Sequence, residues 1–242
     1  MTDILYIVGN GSRWDNNELR YSLRSIAKNG RNVGSVYLVG CKPDWVSEEV
    51  THIPCDDPYD RKHKNILRKV ICAMESSDIG EHFLISSDDH YYVKVTDFDT
   101  LPLYYRYTDI PEKVVGRQIW SDYCKSLMDT RWLLLKHGLT TYQTNPHCNT
   151  HWVRSVYAAN KDIFDKCMAL EYGGEMNCVM GNLLIAQGWE PVEFYDAKLG
   201  KKDEVADALL RTNCLSSTDS MRESRLAEYL KKKFNTKCKY ER

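Results

Sequence analysis

Asp3-Ile4-Leu5-Tyr6-Ile7-Val8-Gly9-Asn10-Gly11-Ser12 is a β-branched apolar run that breaks at once into glycines. That pattern reads as a buried strand entering a glycine loop. Outward from it, Asp15-Asn16-Asn17-Glu18 offers N-cap chemistry. Leu19, Leu23 and Ile26 then recur at helical spacing, and Gly30 and Gly34 close that helix. Residues 36–39 read as a second buried strand ending at Gly40, and Val50–Ile53 as a weaker third before Pro54. Ile66, Leu67, Val70, Ile71 and Met74 share one face of a helix over 61–74. His82–Ser86 is a further strand, which runs straight into Ser87-Asp88-Asp89-His90, with 91–93 continuing extended. Strand, helix, strand, strand, helix, strand argues for an α/β sheet of parallel strands with crossover helices.

The second part of the chain reads differently. Helices are expected over 117–138, closed by Gly138, and over Lys161–Ala169, 176–187, 203–211 and 219–234, with a short strand at 190–195. There is no internal repeat and no linker-like stretch. The expectation is therefore one α/β domain over 1–242, built on a single mostly parallel sheet. A donor-binding half covers about 1–95 and a mainly helical acceptor half about 96–242.

The composition is that of a soluble globular chain: 242 residues, 43% hydrophobic and 28% charged, with 13 Gly and 7 Pro. Collagen-like, low-complexity and wholly disordered classes are excluded. The apolar run Ile4 to Val8 is as long as any in the chain. A membrane span needs roughly 20 residues, so none is expected. The opening residues lack a basic segment leading into a long apolar stretch, so no signal peptide is expected. Nine cysteines, an odd count with no C-x-x-C pair, read as free thiols in a reducing cytosol.

Thirty-three Lys+Arg against 34 Asp+Glu leave a net charge of −1, which argues against a general nucleic-acid binder. The charge is unevenly spread, because residues 231–242 hold six basic groups and one acid.

Ligands of open α/β sheets sit beyond the C-terminal ends of the strands. Two such ends carry unusual chemistry. In Gly9-Asn10-Gly11-Ser12-Arg13-Trp14, small residues admit a ligand to the backbone, Arg13 can pair with phosphate and Trp14 can stack on a base. The string is neither a dinucleotide fingerprint nor a P-loop, and an ordinary turn accounts for it equally. In Ser87-Asp88-Asp89-His90, adjacent carboxylates repel, and a divalent cation such as Mg²⁺ or Mn²⁺ would remove the conflict. An Asp pair capping a turn is the alternative. Arg61, Asn65, Arg68 and Lys69 project away from the apolar stripe of their helix, toward a phosphate-containing cleft or toward water.

Asn16-Asn17-Glu18-Leu19-Arg20-Tyr21-Ser22-Leu23-Arg24-Ser25 closely resembles the N-D-E-L-R-Y-S-L-R-S block of the Stealth family, the capsular-polysaccharide hexose-1-phosphate transferases. Val36-Tyr37-Leu38-Val39 with Pro43-Asp44-Trp45 looks like that family's strand and following P-x-W-L turn. Glu81-His82-Phe83-Leu84 through Asp88-Asp89 is similar to its E-H-F-L-Y-x-N-D-D segment, with Ser87 where the family has asparagine. Thr130 to Gly138 followed by His147 resembles a looser block containing a histidine. The same strings look like short phage-type proteins of the glycosyltransferase A-type fold, in which a strand-end carboxylate motif holds a metal on the sugar diphosphate.

The resemblance implies transfer of a sugar or sugar phosphate from a nucleotide-sugar donor, in the cytoplasm. Gly9, Asn10, Gly11, Ser12, Arg13, Asn65 and Asp88 would then bind the donor, and Asp88 and Asp89 the Mg²⁺ or Mn²⁺. A general base is required for the acceptor hydroxyl. The candidates are His147, which matches the Stealth histidine, His151 and Glu175. Trp120, Trp132 and Trp152 can stack on a sugar or base, or fill the core. The acceptor is either a saccharide or a hydroxymethylated pyrimidine in phage DNA. Stealth-type sugar-1-phosphate transfer and a non-catalytic sugar- or nucleotide-binding module are the rival readings.

Overall fold

Strand β1 (Thr2–Val8) lies at the centre of the main sheet of the computed structural model, which describes residues 1–110, 121–218 and 222–242. It is flanked by β3 (Val33–Gly40) and β5 (His82–Ser86), with β4 (Val50–Ile53) outside β3 and β9 (Thr150–Val153) outside β5. The order is β4-β3-β1-β5-β9. All neighbours run parallel except β9, which is antiparallel to β5 with Leu84 opposite His151.

The alternation of side chains along β1 explains why both faces are apolar. Ile4, Tyr6 and Val8 point to one face, where α1 (Asn17–Asn29) packs with Leu19, Leu23 and Ile26. Leu5 points to the other, where Leu67, Val70 and Met74 of α2 (Lys62–Ser76) join Tyr37, Val39, Phe83 and Ile85. This second face also carries α3 (Asp122–Lys136), α4 (Arg154–Ala159), α5 (Lys161–Ala169) and α6 (Met176–Ala186). The structure is thus an α/β layered fold, as expected.

One expectation is corrected. The sheet is not single: three smaller sheets accompany it among the described residues. They involve β2 (Gly30–Arg31), β6 (His90–Tyr92), β7 (Thr96–Asp97), β8 (Leu103–Tyr105), β10 (Pro191–Glu193), β11 (Lys198–Leu199) and β12 (Cys214–Ser217). After residue 95 the described chain carries six helices, with short strands of two to four residues between them. Residues 90–92 are extended, in a strand of their own and not as a prolongation of β5. The chain turns at 87–89 and β6 joins β12, which pairs with β11. Behind that small sheet, α7 (Val205–Arg211) and α8 (Arg225–Lys233) enclose a satellite core of Tyr91, Leu215, Leu226 and Leu230. The beginnings of the helices expected over 117–138 and 219–234 lie partly outside the described residues, as does Trp120.

The basic tail is docked. Arg24 forks onto Glu241 at 2.7 and 2.8 Å, Arg242 pairs with Glu48, and Val46 bridges Glu241. All nine cysteines are free. Among the described residues no helix is long and apolar enough to cross a membrane.

Candidate functional site

The C-terminal end of β5 delivers Asp88 and Asp89 into a turn, and the small sheet folds back over it. Ser216 of β12 donates to Asp89 Oδ2 at 2.8 Å, and Lys198 Nζ of β11 lies 3.8 Å from the same oxygen. Burial opposes charge on Asp89, but His90, Lys198, the Ser216 hydroxyl and His147 outweigh it and hold its carboxyl below the usual range. Asp88 is the opposite case. Burial, then the charges of Asp89 and Glu18, push it up to about 7. Lys62, the first residue of α2, is the cation among its neighbours.

This charge balance decides what the pair can hold. Mg²⁺ or Mn²⁺ is commonly bound by one or two carboxylates plus phosphate and water oxygens. Two carboxylates side by side, one short of positive neighbours, fit such a shared ion. They do not make a complete protein cage: among the described residues no three His, Cys, Asp or Glu side chains converge on one point.

Next to this turn stands a dyad. His147 Nδ1 lies 2.7 Å from Asp196 Oδ2, and the His147 backbone N–H donates to Asp196 Oδ1 at 2.9 Å. Arg106 Nε lies 2.8 Å from Oδ2 as well. Burial works against ionising Asp196, but the bond to His147 and the charges of His147 and Arg106 lower its pKa. An ionised carboxylate only accepts, so Nδ1 donates this bond and Nε2 is the ring nitrogen that the bond to Asp196 leaves unused. The His147 side chain keeps 24% of its exposure, enough to meet a ligand. Asp196 and Arg106 were not singled out in the sequence. Asp196 directly follows the strand expected at 190–195, the same strand-end cue that marked Asp88. Arg106, Lys198 and Ser216 carry no local signal.

Glu175 sits at the start of α6 but does not cap it. Its carboxylate pairs with His63 Nε2 at 2.7 Å and accepts from Asn145 Nδ2 at 2.8 Å. Burial disfavours charge on both partners, yet their mutual attraction raises the His63 pKa and lowers that of Glu175. Lys62 couples electrostatically to both Glu175 and Asp88.

His151 is elsewhere. It lies inside β9 opposite Leu84, two residues into the sheet from Asn149, and is buried. Its Nε2 donates to the Pro102 carbonyl at 3.1 Å, so its Nδ1 accepts from His82 Nε2 at 2.9 Å. Both ring nitrogens are used, and burial, then His82, depresses its pKa to about 4.

The glycine loop follows β1 as expected, with Asn10, Gly11 and Arg13 exposed. A Cβ at Gly9 or Gly11 would meet nothing within 4 Å, so neither glycine is demanded by packing. Ser12 turns inward: its hydroxyl accepts from the Trp14 and Asn16 backbone and donates to Glu18 at 2.9 Å. The start of α1 is thus organised by Ser12, while Asn16, the N-cap, makes no capping bond. Trp14 is core, stacked 5.4 Å from Tyr21, and is not free to stack on a base. Asn65 clips the 59–65 turn through the Tyr59 backbone at 2.6 and 3.0 Å. Lys69, read as part of an outward basic face, is buried. Its Nζ donates to the Val8 carbonyl at 3.1 Å and to Asp57 at 2.8 Å. Trp152 is buried with its Nε1–H on Asn177, whereas Trp132 is exposed.

No known family model matches the chain, and no curated protein matches it.

Proposed function

We propose that the chain transfers a sugar from a nucleotide-sugar donor to a hydroxyl acceptor, on a fold of the glycosyltransferase A type. The observation that carries the reading is the His147–Asp196 pair beside the Asp88-Asp89 turn: an oriented base next to a carboxylate site suited to a diphosphate-bound cation.

In this reading His147 Nε2 takes the proton from the acceptor hydroxyl as the new bond forms. Asp196 keeps the Nδ1 proton in place and stabilises the imidazolium that results. Asp88 and Asp89 would hold Mg²⁺ or Mn²⁺, which supplies positive charge to the departing phosphate. Asn10, Gly11 and Arg13 would face the nucleotide end, and Lys198 and Ser216 fix Asp89. Ser12 and Asn65 would brace the loops on which the donor rests. The acceptor is a saccharide or a modified pyrimidine.

A thermal-shift screen of nucleotide sugars with and without Mn²⁺ tests the reading. A matching donor at about 100 times its Kd stabilises the native state by about 2.7 kcal/mol. Release of nucleoside diphosphate on turnover identifies glycosyl transfer, and release of monophosphate identifies sugar-phosphate transfer. Binding without turnover identifies a non-catalytic module.

A further inference from the structure

Cys55 lies two residues beyond β4, and Cys72 lies on α2, which packs on that strand. The Cys72 thiol donates to the Pro54 carbonyl at 3.8 Å and the Cys55 thiol to the Asp56 carbonyl at 3.8 Å. The two thiols therefore sit along the same three residues of backbone, 54–56. Both pack on the main core without being fully buried. An open groove of about 730 Å³ lined by Pro54, Cys72, Glu75 and Ser76 gives a small molecule access to Cys72. Five other cysteines, by contrast, are buried.

We propose that Cys55 and Cys72 are a modification site: a dithiol that a low-molecular-weight disulfide such as glutathione disulfide converts to an intramolecular disulfide. One protein thiolate attacks a sulfur of glutathione disulfide, forming a mixed disulfide and releasing one glutathione thiolate. The second protein thiolate attacks the protein sulfur of that mixed disulfide and releases the second glutathione. Two protein thiols are oxidised and one glutathione disulfide is reduced to two glutathiones. Burial, then the Cys72 thiol, pushes the Cys55 thiol up, so the reaction accelerates with rising pH as thiolate forms.

The bond would tie the segment after β4 to α2. Asp57, two residues on, holds Lys69, and Lys69 holds the Val8 carbonyl at the root of the glycine loop. The inference does not rest on the proposed activity, because its readout is chemical.

The test is glutathione disulfide treatment of the full chain, then alkylation and peptide mapping. The expected product joins the peptides of Cys55 and Cys72, forms faster at higher pH, and raises Tm by roughly 5–10 °C. Cys41→Ser, which removes the exposed thiol, should leave the product unchanged, and Cys55→Ser or Cys72→Ser should abolish it. Unresolved glutathione adducts, a bond to Cys41, or no reaction in the unsubstituted chain overturns the proposal, whether or not the variants fold.

Discussion

Asp196 grips His147 twice, through the ring Nδ1 at 2.7 Å and through the backbone N–H at 2.9 Å. One carboxylate therefore sets both the tautomer and the position of the imidazole. The bond to His147, and then Arg106 on the same carboxylate, keep it ionised against burial.

Asp196→Asn should lower kcat by about 10²- to 10⁴-fold, because the ring loses its defined tautomer. The KM for the donor should change little, since Asp196 is assigned to the proton and not to the donor. Steady-state kinetics checks this. A KM effect with kcat intact would instead make Asp196 a binding residue.

Asp88→Asn should abolish the Mn²⁺-dependent rise in Tm. The variant should itself be at least as stable as the parent near pH 7. Its neighbours Asp89 and Glu18 are negative, so removing a carboxyl pushed up to about 7 relieves repulsion. Thermal unfolding with and without Mn²⁺ measures both effects.

His82 and His151 make stability fall in mild acid. Burial, then His82, lowers the His151 pKa to about 4 in the fold, and burial lowers that of His82, although Asp99 and Glu81 oppose the latter shift. The unfolded chain therefore takes up protons first as pH drops below about 6.5. Stability should be intact above that value and decline between about 6.5 and 4. The His151 share amounts to about 3 kcal/mol at most. Urea unfolding across this range should show the loss steepening below pH 6.5, and a flat profile would contradict it.

Gly40→Ala should destabilise the fold by about 2 kcal/mol or more. Gly40 has φ +103, and an added Cβ would come within 2.2 Å of the Val8 carbonyl oxygen and 2.9 Å of the Lys69 side chain. Denaturant midpoints compared with a Gly188→Ala control, which shares the positive φ without the contacts, separate clash from strain.

The elements legible in the sequence are those whose burial is written locally. β1 and β5 are short apolar runs, β4 is bracketed by Val50 and Ile53 before Pro54, and α2 repeats its apolar residues at helical spacing, so their positions match the expectations closely. β9 was missed because Thr150-His151-Trp152-Val153 looks like a polar loop. Its pairing with β5 and the packing of Tyr157 and Phe164 on the ring bury Trp152 completely. The sequence places Lys69 outward, because a lysine on a basic face usually is. Its burial depends on Asp57 and the Val8 carbonyl, which the fold brings from two other elements. The site divides along the same line. Asp88 and Asp89 announce themselves at a strand end, whereas Arg106, Lys198 and Ser216 arrive from separate strands and loops that only the small sheets bring together.

The most direct measurement is single-turnover release of nucleotide from nucleotide-sugar donors in the presence of Mn²⁺ and acceptor, comparing the parent chain with His147→Gln and Asp89→Ala. The account predicts nucleotide release by the parent and loss of about 10²-fold or more in both variants while their Tm stays near the parent's. Full activity in either folded variant, or no release from any donor by the parent, would contradict it.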